Sequence, residues 1–202
     1  MTTKEKLLAL LEDSKGTFFS GEEIARTLQV SRAAVWKAVN ALREDGYTID
    51  AATNKGYRLS PDSDILSPQG IRRFLKPEYR DLDLTVLPTA PSTNALVREK
   101  ANQGRPEGCV IVACEQTDGR GRYGRQFFSP IDSGVYLSLL LRPTAYSPQQ
   151  ATCLTAAAAA AMCQAIEAVT GQQPGIKWVN DIFLHGKKVC GILTEAAVGL
   201  ET

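Results

Sequence analysis

The feature that most constrains the fold lies at residues 20–44, where two capped helical patterns are separated by only Gln29 and Val30. Ser20 followed by Glu23 makes a capping box ahead of Ile24, Ala25 and Leu28, and Ser31 is placed to cap the pattern that follows. A junction this tight is helix-turn-helix spacing. Thr2 with Glu5 repeats the box, and Leu7, Leu8, Leu10 and Leu11 predict a preceding helix that ends before Gly16. After a stop at Gly46, segments 47–52 and 57–59 flank Thr53-Asn54-Lys55-Gly56, which predicts a hairpin able to serve as a wing.

In the third helix Val35, Val39 and Leu42 recur at i, i+4 and i+7 and are expected to face the core. Arg32, Ala33, Trp36, Lys37, Asn40 and Arg43 take the other faces, rich in donors and free of carboxylates. Arginine and lysine reach phosphates or guanine edges, and an asparagine pairs bidentately with adenine. Ser31, Arg32, Ala33, Trp36, Lys37, Asn40 and the wing's Lys55 are therefore the candidate DNA contacts, although Trp36 is expected to pack rather than read bases. Basic residues gather on this side: residues 31–60 carry Arg32, Lys37, Arg43, Lys55 and Arg58 against Glu44, Asp45 and Asp50. The competing reading of the same pattern is a small protein-interaction domain with a solvated charged face.

Whole-chain charge does not help, because a net charge of +1 gives no broad basic field; any nucleic-acid contact has to be local. The five cysteines, Cys109, Cys114, Cys153, Cys163 and Cys190, form no CxxC pair, and His185 is the single histidine. Neither a zinc site nor a disulfide framework is expected, and the cysteines read as small buried hydrophobes. The start of the chain is charged every few residues, and the apolar run 156–161 has polar flanks, so a cytoplasmic protein without a membrane segment is expected and that run is read as core.

Ser60-Pro61-Asp62-Ser63-Asp64 is short, polar and proline-containing, which predicts a boundary with one domain over 1–62 and a second over 63–202. Ser67-Pro68 opens a short helix with Ile71, Phe74 and Leu75 on its apolar side. Beyond it, predicted strands 84–87, 110–114 and 135–141 alternate with helices 93–101 and 148–169, so an α+β fold with a mixed sheet follows.

The chemistry concentrates in Gly119-Arg120-Gly121-Arg122-Tyr123-Gly124-Arg125. Glycine lets backbone approach a ligand, and guanidinium offers fixed charge and forked donors matched to carboxylate and phosphate oxygens. Taken alone the run fits an anion clamp, an RNA-binding arginine-glycine segment or a solvated loop. Four further segments accompany it: Pro91-Ser92-Thr93-Asn94, Glu115-Gln116, Lys177-Trp178-Val179-Asn180-Asp181 and Lys188-Val189-Cys190-Gly191-Ile192-Leu193.

This ordered set resembles the biotin protein ligases, and with the N-terminal module the whole chain resembles their bifunctional members, which are also biotin-operon repressors. The resemblance implies an N-terminal winged helix-turn-helix followed by a biotin/lipoate-ligase-like catalytic domain. It places Ser92, Thr93 and Gln116 at the ureido head of biotin, with Asn94, Lys188, Gly191 and the Gly119-Arg120 backbone completing the biotin set. Arg120, Arg122 and Arg125 would order over the carboxylate and the ATP phosphates, Asn180 and Asp181 would border the nucleotide, and Lys188 and Arg122 would be catalytic. For Asn180-Asp181 a simple turn between Trp178 and Ile182 is the alternative. Lys187 competes with Lys188, strand alternation sending the two to opposite faces, and spacing to Gly191 favours Lys188.

The implied reaction activates biotin with ATP to biotinyl-5′-AMP and then passes the acyl group to a lysine of a biotin carboxyl carrier protein, as in biotin–acetyl-CoA-carboxylase ligases. Magnesium carried by ATP, with no protein metal centre, would assist the first step. Operator DNA and a ligand-induced homodimer are the other implied partners. The family's ligase domain ordinarily continues past the segment equivalent to Gly191–Glu195, so the catalytic domain is expected to be incomplete at its C-terminus. The alternative function is a repressor that senses biotin or biotinyl-AMP without completing transfer. Lipoate or octanoate transfer is a third, which the arginine-glycine loop with Lys177-Trp178-Val179-Asn180-Asp181 fits less well.

Overall fold

The computed structural model describes residues 1–143 and 152–196, and the chain divides into two compact units, Met1–Leu82 and Asp83–Thr202.

In the first unit α1 (Thr3–Asp13), α2 (Gly21–Leu28) and α3 (Arg32–Glu44) begin where the sequence caps them. The Glu5 amide donates to Thr2 Oγ1 at 3.2 Å and the Thr2 amide to Glu5 Oε2 at 2.7 Å; Ser20 and Glu23 repeat this at 3.1 and 2.7 Å. Gln29 turns left-handed at φ 56° while Val30 N–H donates to Ala25 O at 2.9 Å, so the chain reverses within the two-residue link. Strands β1 (Ile49–Ala52) and β2 (Gly56–Leu59) form the antiparallel wing. Leu7, Leu11, Ile24, Val39 and Leu59 are fully buried in one core, each worth about 1.5–3 kcal/mol of apolar burial.

The segment expected to divide the chain at 62/63 lies inside this unit. Helix α4 (Pro68–Arg72) packs on α1, where Glu12 is buried with Ser67 Oγ 3.5 Å from its Oε1 and Arg73 Nη1 3.9 Å from its Oε2. A buried carboxylate needs polar partners, and residues beyond the proline supply them. Arg72 then donates to the carbonyls of Arg80 and Leu82 at 3.2 and 3.3 Å, which ties the segment down to its end. Because α4 stops at Arg72, Ile71 and Leu75 are partly buried while Phe74 is exposed, not on an apolar helix face.

In the second unit β3 (Asp83–Leu87) runs parallel to β4 (Cys109–Ala113), with α5 (Thr93–Asn102) between them in sequence, and β5 (Tyr136–Leu139) adds antiparallel to β4. This is the mixed sheet expected from the alternating pattern. Strands β6 (Gly175–Lys177), β7 (Asp181–Leu184) and β8 (Lys187–Gly191) form a separate antiparallel sheet. Helix α6 (Thr152–Thr170) packs on β6 and β7; residues 148–151 of the predicted helix lie outside the described residues.

The alanine run is not the core it was expected to be. Among its residues only Ala159 is fully buried, because α6 meets the small sheet along one narrow face. By length and composition Cys153–Thr170 is also apolar enough to cross a bilayer. The cysteines are all free thiols and are unequal: Cys109 is buried, Cys114, Cys163 and Cys190 are partly buried, and Cys153 is exposed, contrary to the expectation of uniformly buried thiols.

Candidate active site and nucleic-acid face

In the first unit Ser31 caps α3, its Oγ accepting the Ala34 amide at 3.2 Å, and Arg32, Ala33 and Lys37 are exposed with Asn40 half-buried. Trp36 is 58% exposed, so the indole does not pack as expected; Val35, Ala38 and Val39 fill the core side of its helix instead. Arg43 is withdrawn from this face, donating through Nε and Nη2 to Ile49 O at 3.1 and 2.7 Å. Lys55 stands exposed at the wing turn, its Nζ 6.0 Å from the Phe18 ring, which Arg58 covers at 4.7 Å.

In the second unit the polar residues after β3 and β4 meet. Ser92 caps α5 and is buried with Thr93. The Thr93 amide donates to Gln116 Oε1 at 2.8 Å, with Thr93 Oγ1 3.1 Å from the same oxygen and 2.8 Å from Ser138 Oγ. Ser138 Oγ also donates to Asn94 Oδ1. Thr93 Oγ1 and Ser138 Oγ carry one proton each for these three contacts, so the Thr93 proton is shared between Gln116 Oε1 and Ser138 Oγ. Gln116 Nε2 donates to Ser129 Oγ at 3.1 Å, so both ends of that amide are fixed and one N–H remains to offer. Asn94 Nδ2 reaches Leu193 O at 3.3 Å and Glu195 Oε2 at 3.0 Å, joining α5 to the chain leaving β8.

A second cluster is cationic. Lys188 Nζ lies 2.8 Å from Asp181 Oδ1, which also accepts Asn180 Nδ2 at 2.9 Å, and Arg122 Nη1 donates to Asn180 Oδ1 at 3.0 Å. Simple alternation along β7 and β8 would put Lys188 on the face opposite Asp181. The register shifts, however: Ile182 pairs with Cys190 but Phe183 with Lys188, leaving Val189 as a bulge. The extra residue turns Lys188 onto the face shared by Asp181, Phe183 and Gly191. A Cβ on Gly191 would sit 3.0 Å from Lys188 Nζ and 2.9 Å from Phe127 Cε2, so the missing side chain is what lets the lysine cross to Asp181. Lys187 has no ion pair among the described residues, and burial pushes the Cys190 thiol up from its ordinary pKa.

Phe127 links the clusters. Its ring is 5.6 Å from Lys188 Nζ, its N–H donates to Gly119 O at 2.8 Å, and its carbonyl accepts Ser129 Oγ at 3.0 Å. A Cβ on Gly119 would collide with that carbonyl and with Ser129 Oγ, so the loop closes this tightly only on glycine. The loop's arginines do not converge. Arg122 lines a cleft of about 470 Å³ with Trp178, Asn180, Ile192 and Leu193, whereas Arg120 and Arg125 line another of about 390 Å³ with Asp118 and Gln126. Arg120 is bound to Asp118 Oδ2 at 2.8 Å, and His185 sits exposed in its turn with Nε2 2.7 Å from Gln172 Oε1. Phe127, Ser129 and Ser138 were not among the predicted site residues; a lone serine in the otherwise apolar run 135–141 is the signal that marks Ser138.

Residues 86–200 match the biotin/lipoate A/B protein ligase family, and residues 3–58 match an HTH domain. The chain belongs to the biotin/lipoate A/B protein ligase family. Among its relatives in that family, the bifunctional ligase/repressor BirA of Bacillus subtilis is 43% identical over 194 residues, covering 96% of this chain and 59% of that protein. The BirA of Escherichia coli is 33% identical over 194 residues, covering 96% and 58%. The chain thus spans about three-fifths of the length of these relatives. Among solved structures, the biotin protein ligase of Leishmania major in complex with biotin superposes with a TM-score of 0.50 at 25% identity, over 57% of this chain and 52% of that one. The α+β reading, a helix-turn-helix unit followed by a ligase-family unit with a mixed sheet, is the architecture observed.

Proposed function

We propose that this chain activates biotin with ATP and transfers it to a carrier-protein lysine, and that its first unit binds operator DNA as a biotin-responsive repressor. The observation carrying this reading is the joining, through Phe127, of a neutral hydrogen-bonding cluster to a cationic one. Ser92, Thr93 and Gln116 offer hydroxyls and an amide suited to an uncharged urea, with Asn94 bracing α5. Lys188 and Arg122 supply the positive charge that a carboxylate and a phosphate need if they are to approach each other.

In the first step a biotin carboxylate oxygen attacks the α-phosphorus of ATP, a new P–O bond forms, the α–β bridging bond breaks and pyrophosphate leaves. Lys188 orients the attacking carboxylate and Arg122 offsets charge developing at phosphorus. Asn180 holds Arg122 and Asp181 holds Lys188, so the four side chains act as one positioning chain. Gly191 leaves Lys188 room beside Phe127, and Gly119 lets the loop close there, while Arg120 and Arg125 border the separate cleft beside Asp118 and Gln126. Magnesium carried by the nucleotide would add charge compensation at its phosphates. In the second step the carrier lysine's amine attacks the acyl carbon and AMP leaves.

The names of the Bacillus subtilis and Escherichia coli relatives support the double role. Ser31, Arg32, Ala33, Trp36, Lys37, Asn40 and Lys55 form the DNA face, two copies meet a two-fold operator when ligand is bound, and the protein works in the cytoplasm. The part matching an HTH domain ends before residue 62, and residues 63–82 complete the unit that carries it. The test is biotin-dependent exchange of labelled pyrophosphate into ATP, with calorimetry against biotin and lipoate alongside. Exchange and a heat with biotin alone are expected; a heat with lipoate but not biotin overturns the assignment, and biotin binding without exchange leaves the sensing repressor as the function.

A further inference from the structure

The exposed indole of Trp36 stands outside the hydrophobic core of the first unit. It occupies the middle of α3, 58% exposed, with Ala33 one turn before it and Asn40 one turn after, while the core side of the helix is filled by Val35, Ala38, Val39 and Leu42. Its Nε1–H has no hydrogen-bond partner among the described residues. Arg32 and Lys37 are exposed beside it, and no carboxylate occurs from Ser31 to Arg43. A large apolar ring framed by cations and a side-chain amide is ill suited to an apolar protein partner and complementary to a polyanion.

We propose that Trp36 is a specificity-determining residue that reads a thymine methyl in the major groove; this rests on the DNA-binding reading of the first unit. The indole carries no charge, so most of what it can bury on a duplex is apolar surface, and its Nε1–H is left to a phosphate or base acceptor. Base faces are hidden by stacking, and in the major groove the apolar group is the 5-methyl of thymine. Ala33, lacking a bulky side chain, lets the helix approach closely at this point, and Arg32, Lys37 and Lys55 provide the phosphate contacts that hold the register. Asn40, in line with Trp36 one turn on, is the matching reader of an adjacent adenine edge.

The experiment selects sites for the full chain from a random duplex pool with biotin and ATP present, then resynthesises the selected site with each thymine replaced in turn by deoxyuridine. Removing one contacted methyl should weaken binding about three- to fivefold at one position per half-site. Trp36→Ala should lower affinity for the selected site about tenfold or more and abolish the deoxyuridine effect. Lys37→Ala should weaken all duplexes alike and reduce the salt slope by about one, without changing deoxyuridine sensitivity. Circular dichroism checks that Trp36→Ala is folded, as an exposed position implies. The inference is overturned if the selected site is bound tightly yet indifferent to every deoxyuridine, or if Trp36→Ala keeps the wild-type sensitivity. It is equally overturned if Trp36→Ala changes only self-association, which would make the indole a protein contact. If no duplex is enriched, the DNA-binding reading falls and takes this one with it.

Discussion

Replacing Gly191 by alanine separates the placement of Lys188 from the stability of the fold. The added Cβ would lie 2.9 Å from Phe127 Cε2 and 3.0 Å from Lys188 Cε and Nζ, against 3.4–4 Å for ordinary contact. The atoms it meets are the ends of mobile side chains, and Gly191 has no positive φ, so the backbone accepts alanine and the side chains yield. Moving the ammonium by about 0.5 Å or more disrupts its 2.8 Å contact with Asp181. The pair is partly exposed, and its loss costs the fold about 0–1 kcal/mol. Reduced freedom of the unfolded chain offsets this by about 0.4–1 kcal/mol. Melting should therefore move by no more than about 2–4 °C. Biotin binding is another matter, because a charge-assisted contact to a carboxylate contributes about 1.5–3 kcal/mol, so affinity should fall about ten- to a hundredfold. Calorimetry with biotin measures this, and Lys188→Met sets the full loss. Wild-type affinity in Gly191→Ala alongside a large loss in Lys188→Met would refute the reasoning, as would a melting drop well beyond 4 °C, which would make the effect structural.

Gly119→Ala should behave oppositely, destabilising the second unit by about 2 kcal/mol or more, read by thermal melting, because its Cβ meets the Phe127 carbonyl and backbone cannot step aside cheaply. A Thr93→Val and Ser138→Ala double-mutant cycle, read by hydrogen exchange in α5 and β5, should give a coupling of about 0.5–1.5 kcal/mol, as expected for one buried neutral hydrogen bond. Arg122→Gly should speed the release of biotinyl-AMP about tenfold or more, measured by stopped-flow; an unchanged off-rate would remove Arg122 from the clamp. The Ser20 backbone amide holds the Glu23 carboxyl below its ordinary pKa. Its contribution is therefore present above the unfolded carboxyl range and lost as pH falls through the lowered folded value. The Ser20 amide shift should follow that titration in wild type and be flat in Glu23→Ala.

Sequence alone determined whatever rests on local chemistry. Caps at Thr2, Ser20 and Ser31 and the two-residue link at Gln29-Val30 fix three helices and their order, because the first-turn amides must find acceptors close by in the chain. The glycines and donors of the proposed biotin site could be picked out by residue type in an ordered set of segments. Tertiary structure decided whatever depends on partners distant in the chain. The first unit runs to Leu82 because buried Glu12 draws Ser67 and Arg73 back across a stretch that reads as a linker. Trp36 is exposed because Val35, Ala38, Val39 and Leu42 fill the side of α3 that faces the core. The choice between Lys187 and Lys188 belongs here as well: a bulge at Val189, invisible to strict alternation, turns Lys188 toward Asp181, and the bare α-carbon of Gly191 leaves it room to get there.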